Sequence, residues 1–184
     1  MKRARTIGVM AAVTSAGALA IALGTAGAAG NAGDLATGSA VNQFATPAGP
    51  GFARLSVAAH SSPSGLNPRG EVRAKGTTGL PMGDFAVQGP VTCLRVDGNK
   101  AAIKYRFRQA TGSAAPFKGG GVEVFVEDNG QPRRGQPVDA NASHPPEMAA
   151  TFDATASKCD DPNSATYDTV TSGDYTVVDP TASH

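Results

Sequence analysis

The sequence predicts an all-β protein, built as an antiparallel β-sandwich or an open barrel of about seven to eight short strands. Three observations support this fold class. Several runs alternate apolar and polar residues, and Gly and Pro are frequent, at 23 and 13 of 184 residues. No helical period longer than about two turns follows the N-terminal segment. Short alternating runs that are separated by glycine- and proline-rich turns are typical of antiparallel sheets.

The first 28 residues predict a secretory signal peptide. Lys2, Arg3 and Arg5 give a positively charged start, residues 7–23 form an uncharged apolar run, and residues 26–28 are the small residues Ala-Gly-Ala. This order matches the charged region, the hydrophobic region and the cleavage site of a signal peptide. We therefore expect a secreted, extracellular protein, or one associated with the cell envelope, that has no membrane span after cleavage.

The rest of the chain predicts a linker and one domain. Residues 29–50 are rich in Gly, Ala, Ser, Thr and Asn and show no period. Such a segment buries too little apolar surface to offset the entropy of ordering, which predicts a flexible linker. Residues 51–180 have enough apolar residues for a single β-domain.

The domain begins with two predicted strands and a loop between them. Residues 53–59 alternate apolar and polar side chains, and residues 70–75 do so over a shorter run. A brief apolar run at 85–88 follows, and Gly89-Pro90 predicts a bend before the next element.

Residues 91–109 predict a β-hairpin around the turn Asp97-Gly98-Asn99. Asp-Gly and Gly-Asn supply the positive φ angles that tight hairpin turns require. The second arm has one apolar face, which we expect in the core: Ala101, Ile103, Tyr105 and Phe107. The other face is expected to lie in solvent: Ala102, Lys104, Arg106 and Arg108.

Three further strands are predicted towards the C-terminus. Residues 121–128 place Val122, Val124 and Val126 inward and Glu123 and Glu127 outward. If this strand pairs with the second arm of the hairpin, its glutamates lie opposite that arm's basic residues. The other two strands are expected at 148–152 and 175–178, with a polar, irregular segment between them.

Cys93 and Cys159 are the two cysteines of the chain. In an exported protein an even count predicts a disulfide, which here joins the hairpin to the polar C-terminal segment. The alternative is a nucleophilic thiol, which requires a nearby histidine and a reducing compartment.

Two stretches and one cysteine carry a resemblance to known proteins. They are Val-Thr-Cys-Leu-Arg-Val-Asp-Gly-Asn-Lys-Ala at 91–101, Val-Phe-Val-Glu-Asp-Asn-Gly-Gln-Pro at 124–132, and Cys159 before the last strand. This pattern resembles a group of uncharacterised secreted β-domain proteins from high-GC Gram-positive bacteria. The resemblance implies secretion and a β-domain but no established activity. Arg133 and Arg134 stand where the group typically has an acidic, glycine-rich loop.

Metal ligands are sparse in the sequence. Asp128, Asn129 and Asp139 offer the oxygen ligands that Ca²⁺ takes, and Asp160-Asp161 offers a second such pair. Because Asp-Asn-Gly is also demanded by turn geometry, we expect a turn without an ion and keep calcium as the alternative. His60, His144 and His184 have no ligand spacing for a transition metal. We therefore expect no cofactor.

The composition and the motifs favour binding over catalysis. A net charge of +1, with 17% charged residues, gives no electrostatic case for nucleic acid. None of the common hydrolase motifs occurs. We expect a monomeric, non-enzymatic accessory or binding module whose ligand is extracellular or part of the envelope.

Two other functions remain open at this point. A secreted hydrolase would need a spatially assembled site, such as His60 with Asp128 and a loop serine, or His144 with Asp153. An exported protease inhibitor would present the loop that contains Arg133 and Arg134. The basic stripe at 104, 106 and 108 would suit an anionic polymer, but we expect a solvated face that Glu123 and Glu127 balance.

Overall fold

The computed structural model describes residues 33–46, 49–62, 65–78, 83–131 and 138–182. Within these residues it contains ten strands and one α-helix. The strands are β1 Leu35–Thr46, β2 Gly49–His60, β3 Arg69–Thr77, β4 Asp84–Asp97, β5 Lys100–Arg106, β6 Gln109–Gly112, β7 Gly121–Glu127, β8 Ala140–Ser143, β9 Asp168–Thr169 and β10 Ser172–Val178. The helix is α1, Ala149–Thr155. The all-β prediction is confirmed, with more strands than expected.

The ten strands form one antiparallel sheet that curls around its own core. Their order is β10-β1-β2-β3-β4-β5-β7-β8-β9, and β6 pairs with β4. Of the two predicted architectures, the curled sheet corresponds to the open barrel. Its concave side carries the main core, whose largest fully buried side chains are Leu94, Ile103, Tyr105, Val72, Val126 and Tyr175. Within the described part of the chain, no helix is long and apolar enough to cross a membrane.

The predicted hairpin is confirmed as β4 and β5. The two strands pair from Asp97↔Lys100 to Val91↔Tyr105, and Gly98 in the turn has a φ of 61°. The strand at 121–128 is also confirmed as β7 and pairs with β5. Its glutamates lie opposite Lys100 and Lys104 in this register.

The predicted bend at Gly89-Pro90 is wrong, because β4 continues through it. The first half of β4, up to Pro90, pairs with β3 and β6, and the second half, from Val91 onwards, pairs with β5. A bulge lies between Val91 and Cys93. A Cβ atom on Gly89 would lie 1.7 Å from the carbonyl oxygen of Arg106. The glycine is therefore required by close contact between two backbones rather than by a turn.

The predicted linker at 29–50 is wrong from residue 35 onwards, where β1 begins. This strand pairs with both β2 and β10, and Ala36 and Ala40 are fully buried. Gly38 has a φ of 136°, and a Cβ atom there would lie 2.2 Å from the carbonyl oxygen of Asp174. Small residues allow this close packing. Because they are small, they do not form the alternation of large apolar and polar residues that predicts a strand. The folded domain therefore begins before residue 51, while the predicted signal peptide lies outside the described residues.

The predicted strand at 148–152 is a helix instead. It is α1, and its Phe152 is fully buried against the convex face of the sheet. The Arg106 guanidinium lies over the Phe152 ring, 5.2 Å from the centroid. The prediction failed because one buried aromatic residue does not produce the periodic spacing of apolar residues that indicates a helix. The strand predicted at 175–178 is confirmed as the end of β10.

Candidate functional site

The disulfide between Cys93 and Cys159 is confirmed and holds a second layer on the convex face of the sheet. Arg95 forms an ion pair with Asp161, and Asn163 donates a hydrogen bond to Asp97. These contacts fix the segment after α1 over β4, β5 and β7. The prediction that this face of β5 lies in solvent is therefore wrong, since Ala102 and Lys104 are buried beneath the segment.

A row of three polar side chains runs across the convex face beneath this layer. Lys104 on β5 is the register partner of Glu123 on β7, and the backbone N–H of His144 donates to the Glu123 carbonyl. Strand alternation puts all three side chains on the same face. The His144 ring packs edge-on against Phe125, with 5.0 Å between centroids.

Asp160 completes a polar cluster that we define as Glu123, His144 and Asp160. The backbone N–H of Asp160 donates to Glu123 Oε1 at 2.8 Å. His144 Nδ1 lies 3.7 Å from Glu123 Oε2 and 3.8 Å from Asp160 Oδ2. The Glu123 side chain is 1% exposed, while those of His144 and Asp160 are 48% and 57% exposed. One buried carboxylate therefore lies at the base of a cluster that opens to solvent.

Burial dominates the electrostatics of Glu123. Desolvation raises the pKa of its carboxyl, and the hydrogen bond from Asp160 and the charge of Lys104 oppose that shift. Lys104 Nζ lies 3.6 Å from Glu123 Oε2, which is an ion-pair distance but too long for a hydrogen bond. Among the described residues, Oε2 has no hydrogen-bond partner.

An apolar cavity of about 480 Å³ opens at one end of the curled sheet. It lies on the concave side, where β1 to β5, β7 and β8 contribute inward-facing side chains. Four phenylalanines line it together with aliphatic residues, namely Phe44, Phe85, Phe107, Phe117, Leu55, Val87, Val122 and Val124. The polar residues of the lining are Asn42, Thr78, Ser113, Asn141, Ser143, His144, Thr166 and Asp168.

Asn141 is the polar residue of this cavity with the best-defined contacts. Its Oδ1 accepts a hydrogen bond from the Asn42 amide, and its own amide donates to the Tyr175 hydroxyl. Desolvation raises the pKa of Tyr175 to about 12, so this hydroxyl stays protonated at neutral pH. The Asn141 amide is thereby held in one orientation, and its position in the lining is fixed.

The calcium candidates Asp128, Asn129 and Asp139 lie together, and backbone donors occupy their carboxylates. Asp128 accepts from the N–H groups of Gly130 and Val177, and Asp139 accepts from those of Asn129 and Tyr175. Each of the four carboxylate oxygens therefore has a backbone donor. These side chains therefore hold the turn against β10.

The histidine–aspartate pairs of the alternative hydrolase hypothesis do not form in the part of the chain that the structure describes. His60 ends β2 in an exposed position, without an ion pair to Asp128. Asp153 forms an ion pair with Arg106 rather than meeting His144. His184, Arg133 and Arg134 lie outside the described residues. The structure instead brings His144 to Glu123 and Asp160.

The basic stripe of β5 and its continuation is mostly neutralised. Lys104 faces Glu123, and Arg106 binds Asp153 and donates to the Gly119 carbonyl. Arg108 is exposed. The expected balance by glutamates is correct for Lys104, while a carboxylate of α1 neutralises Arg106.

The polar cluster was missed because its members are far apart in the sequence. Glu123 was expected on the outer face, and Cys159 was expected beside the hairpin, which brings Asp160 near that face. Strand β8, which positions His144, has only four residues and gives no clear alternation. Combining the disulfide with the β5–β7 register would have located Asp160 near Glu123 but not His144.

Comparison with known proteins adds no relative. The chain matches no protein-family model, and it has no significant similarity to a curated protein or to a solved structure.

Proposed function

We propose that the protein is an exported binding module that holds an apolar small molecule in the cavity of its curled sheet. The cavity is the observation that carries this proposal. Its volume of about 480 Å³ falls within the range of about 300–1,000 Å³ that is typical of small-molecule sites. Such sites are lined predominantly by apolar and aromatic side chains, and these make up most of this lining as well.

The lining favours a neutral ligand that has an apolar body and one polar end. Four phenylalanine rings supply apolar surface, and each buried CH₂ group of a ligand contributes about 0.8 kcal/mol. Asp168 is the acidic residue among those that line the cavity, and it is exposed on β9. It would repel a carboxylate head group and would accept a hydrogen bond from a hydroxyl. A long-chain alcohol therefore fits this chemistry better than a fatty acid.

Export is part of the proposal and is supported by two observations. The first 28 residues have the order of a signal peptide, and the disulfide suits an oxidising compartment. The ligand would then be met outside the cell or at the envelope. The cavity lining does contain His144 and Asp168, but within the described residues His144 pairs with Glu123 and Asp160 and not with Asp168, which favours binding over hydrolysis.

The test is a binding titration with a neutral fluorescent probe, N-phenyl-1-naphthylamine, whose emission rises in apolar surroundings. We expect saturable binding of one probe per chain, displaced by 1-decanol but not by glucose. Decanoate should displace it less well than decanol does. A linear, unsaturable signal, or displacement by glucose as effective as that by decanol, would contradict the proposal.

A further inference from the structure

We propose that Glu123, His144 and Asp160 form a zinc site on the convex face of the sheet. The site goes beyond the proposed function: His144 also lies at the edge of the cavity lining, but neither carboxylate belongs to that lining. One imidazole nitrogen and two carboxylate oxygens form a donor set that Zn²⁺ accepts. Three protein ligands leave the fourth tetrahedral position for water or for a small anion.

The distances between the donor atoms fit a tetrahedral ion. Zinc–ligand bonds of about 2.0–2.1 Å place two tetrahedral donors about 3.4 Å apart. His144 Nδ1 lies 3.7 Å from Glu123 Oε2 and 3.8 Å from Asp160 Oδ2. The donor atoms of all three residues lie within 4.8 Å of one another. The two distances from His144 exceed the tetrahedral value by a few tenths of an ångström, and the distance between the Glu123 and Asp160 oxygens exceeds it by at most about 1.4 Å. The side chains of His144 and Asp160 are half exposed and can move to close these gaps.

The buried oxygen of Glu123 is an independent indication of a ligand. A carboxylate oxygen in a side chain that is 1% exposed normally accepts a hydrogen bond, because an unpaired buried polar atom costs about 1–3 kcal/mol. Glu123 Oε1 is satisfied by the backbone N–H of Asp160, whereas Oε2 finds no hydrogen-bond partner in the part of the chain that the structure describes. Oε2 is the atom that faces His144 Nδ1. A metal ion would satisfy it.

Lys104 is the other charged group that faces this oxygen. Its ammonium lies 3.6 Å from Glu123 Oε2 and donates at 3.4 Å to the carbonyl of Thr155. Without an ion it offsets the Glu123 charge, and the cluster retains the charge of Asp160. When zinc binds, the Thr155 carbonyl gives Lys104 an acceptor that does not depend on Glu123. Removing this competing cation should tighten zinc binding.

The positions of the three ligands are well defined by the fold. Glu123 is fixed by the pairing of β7 with β5, and His144 by its backbone bond to β7 and by the Phe125 ring. Asp160 follows the disulfide-bonded Cys159 directly. Ligands that are held before the ion arrives lose little entropy on binding, which favours affinity.

The test is calorimetric titration of the intact protein with ZnCl₂ at neutral pH, with CoCl₂ absorbance as the probe of tetrahedral coordination. We expect one zinc ion to bind per chain. His144→Gln and Asp160→Asn should each weaken the zinc affinity at least about tenfold. His60→Gln and Asp84→Asn, both at exposed positions, are the matched controls and should leave the affinity unchanged. Lys104→Met should bind zinc more tightly than the unmodified chain.

Equal zinc affinity in His144→Gln and in His60→Gln would overturn the proposal, as would the absence of binding at millimolar zinc. If His144→Gln does not fold, Asp160→Asn decides the matter, because its side chain is exposed. Probe binding in the cavity, measured on the same Asp160→Asn protein, is expected to be unchanged. Failure of the zinc site is thus distinguishable from failure of the binding function.

Discussion

The carboxylate of Asp139 accepts a hydrogen bond from the backbone N–H of Tyr175, with 2.5 Å between Oδ2 and the nitrogen. Asp139 directly precedes β8, and Tyr175 lies on β10, at the other end of the strand order. Asp128 accepts from Val177 on the same edge at 3.0 Å. Two aspartates thus take the place of a neighbouring strand along this edge of β10, and they bring the two ends of the curled sheet together.

Replacing Asp139 should therefore destabilise the protein strongly. Asp139→Ala leaves the N–H groups of Asn129 and Tyr175 without their acceptor, in a buried place. We expect the free energy of unfolding to fall by at least about 2 kcal/mol, as measured by urea unfolding. Asp128→Ala is the control, and its loss should be smaller because water can reach that half-buried site. Equal losses would show that Asp139 has no special part in closing the sheet.

Burial of Asp34 should make the stability of the protein depend on pH. This buried residue precedes β1, and desolvation raises the pKa of its carboxyl above 3.8. Between that value and the raised pKa, the folded protein holds a proton that the unfolded chain releases. The stability therefore falls as the pH rises through the folded pKa. Asp34→Asn has no carboxyl at this position to ionise. As the pH rises from 4, its free energy of unfolding should therefore increase relative to that of the unmodified protein.

The measurement is a series of urea unfolding curves between pH 4 and pH 7. Asp84→Asn, which removes the same charge at the exposed start of β4, is the control. The difference between Asp34→Asn and the unmodified protein should increase with pH. A difference that stays constant or decreases would contradict the role of burial at Asp34.

The Cys93–Cys159 disulfide should contribute about 4 kcal/mol to stability. It closes a loop with a sequence separation of 66, and the loss of loop-closure entropy in the unfolded chain gives this magnitude. We expect the Cys93→Ala, Cys159→Ala double variant to unfold at a correspondingly lower urea concentration. A loss below about 1 kcal/mol would mean that Phe152 and the Arg95–Asp161 pair hold the second layer without the bridge.

The sequence predicts correctly those elements whose turn residues and apolar alternation match their surroundings in the folded protein. The hairpin was predictable because Asp97-Gly98-Asn99 requires the turn and because β5 alternates towards an apolar core. Strand β1 was not, because its packing against β10 requires Gly38 and small alanines, and these residues carry no hydrophobic period. Burial of Lys104 was also unpredictable from β5 itself, since the covering segment comes from more than 40 residues later in the chain.

The candidate sites divide in the same way. The disulfide followed from cysteine count and export, while the polar cluster depends on three distant segments meeting over one sheet face. The cavity is harder still to predict. Its lining consists of residues such as Phe44 and Val124 that periodicity assigns to a core or leaves unassigned, and only the curvature of the sheet decides that the space between them stays open.

The most direct measurement compares one substitution at two places on strand β2. Ala53 lines the cavity, whereas Ala58 lies on the same strand in an exposed position. Ala53→Phe should fill part of the cavity and weaken binding of N-phenyl-1-naphthylamine at least about tenfold. Ala58→Phe should bind the probe as the unmodified protein does, with both variants folded by circular dichroism. Unchanged binding in Ala53→Phe would show that the probe binds elsewhere, and would contradict the cavity as the ligand site.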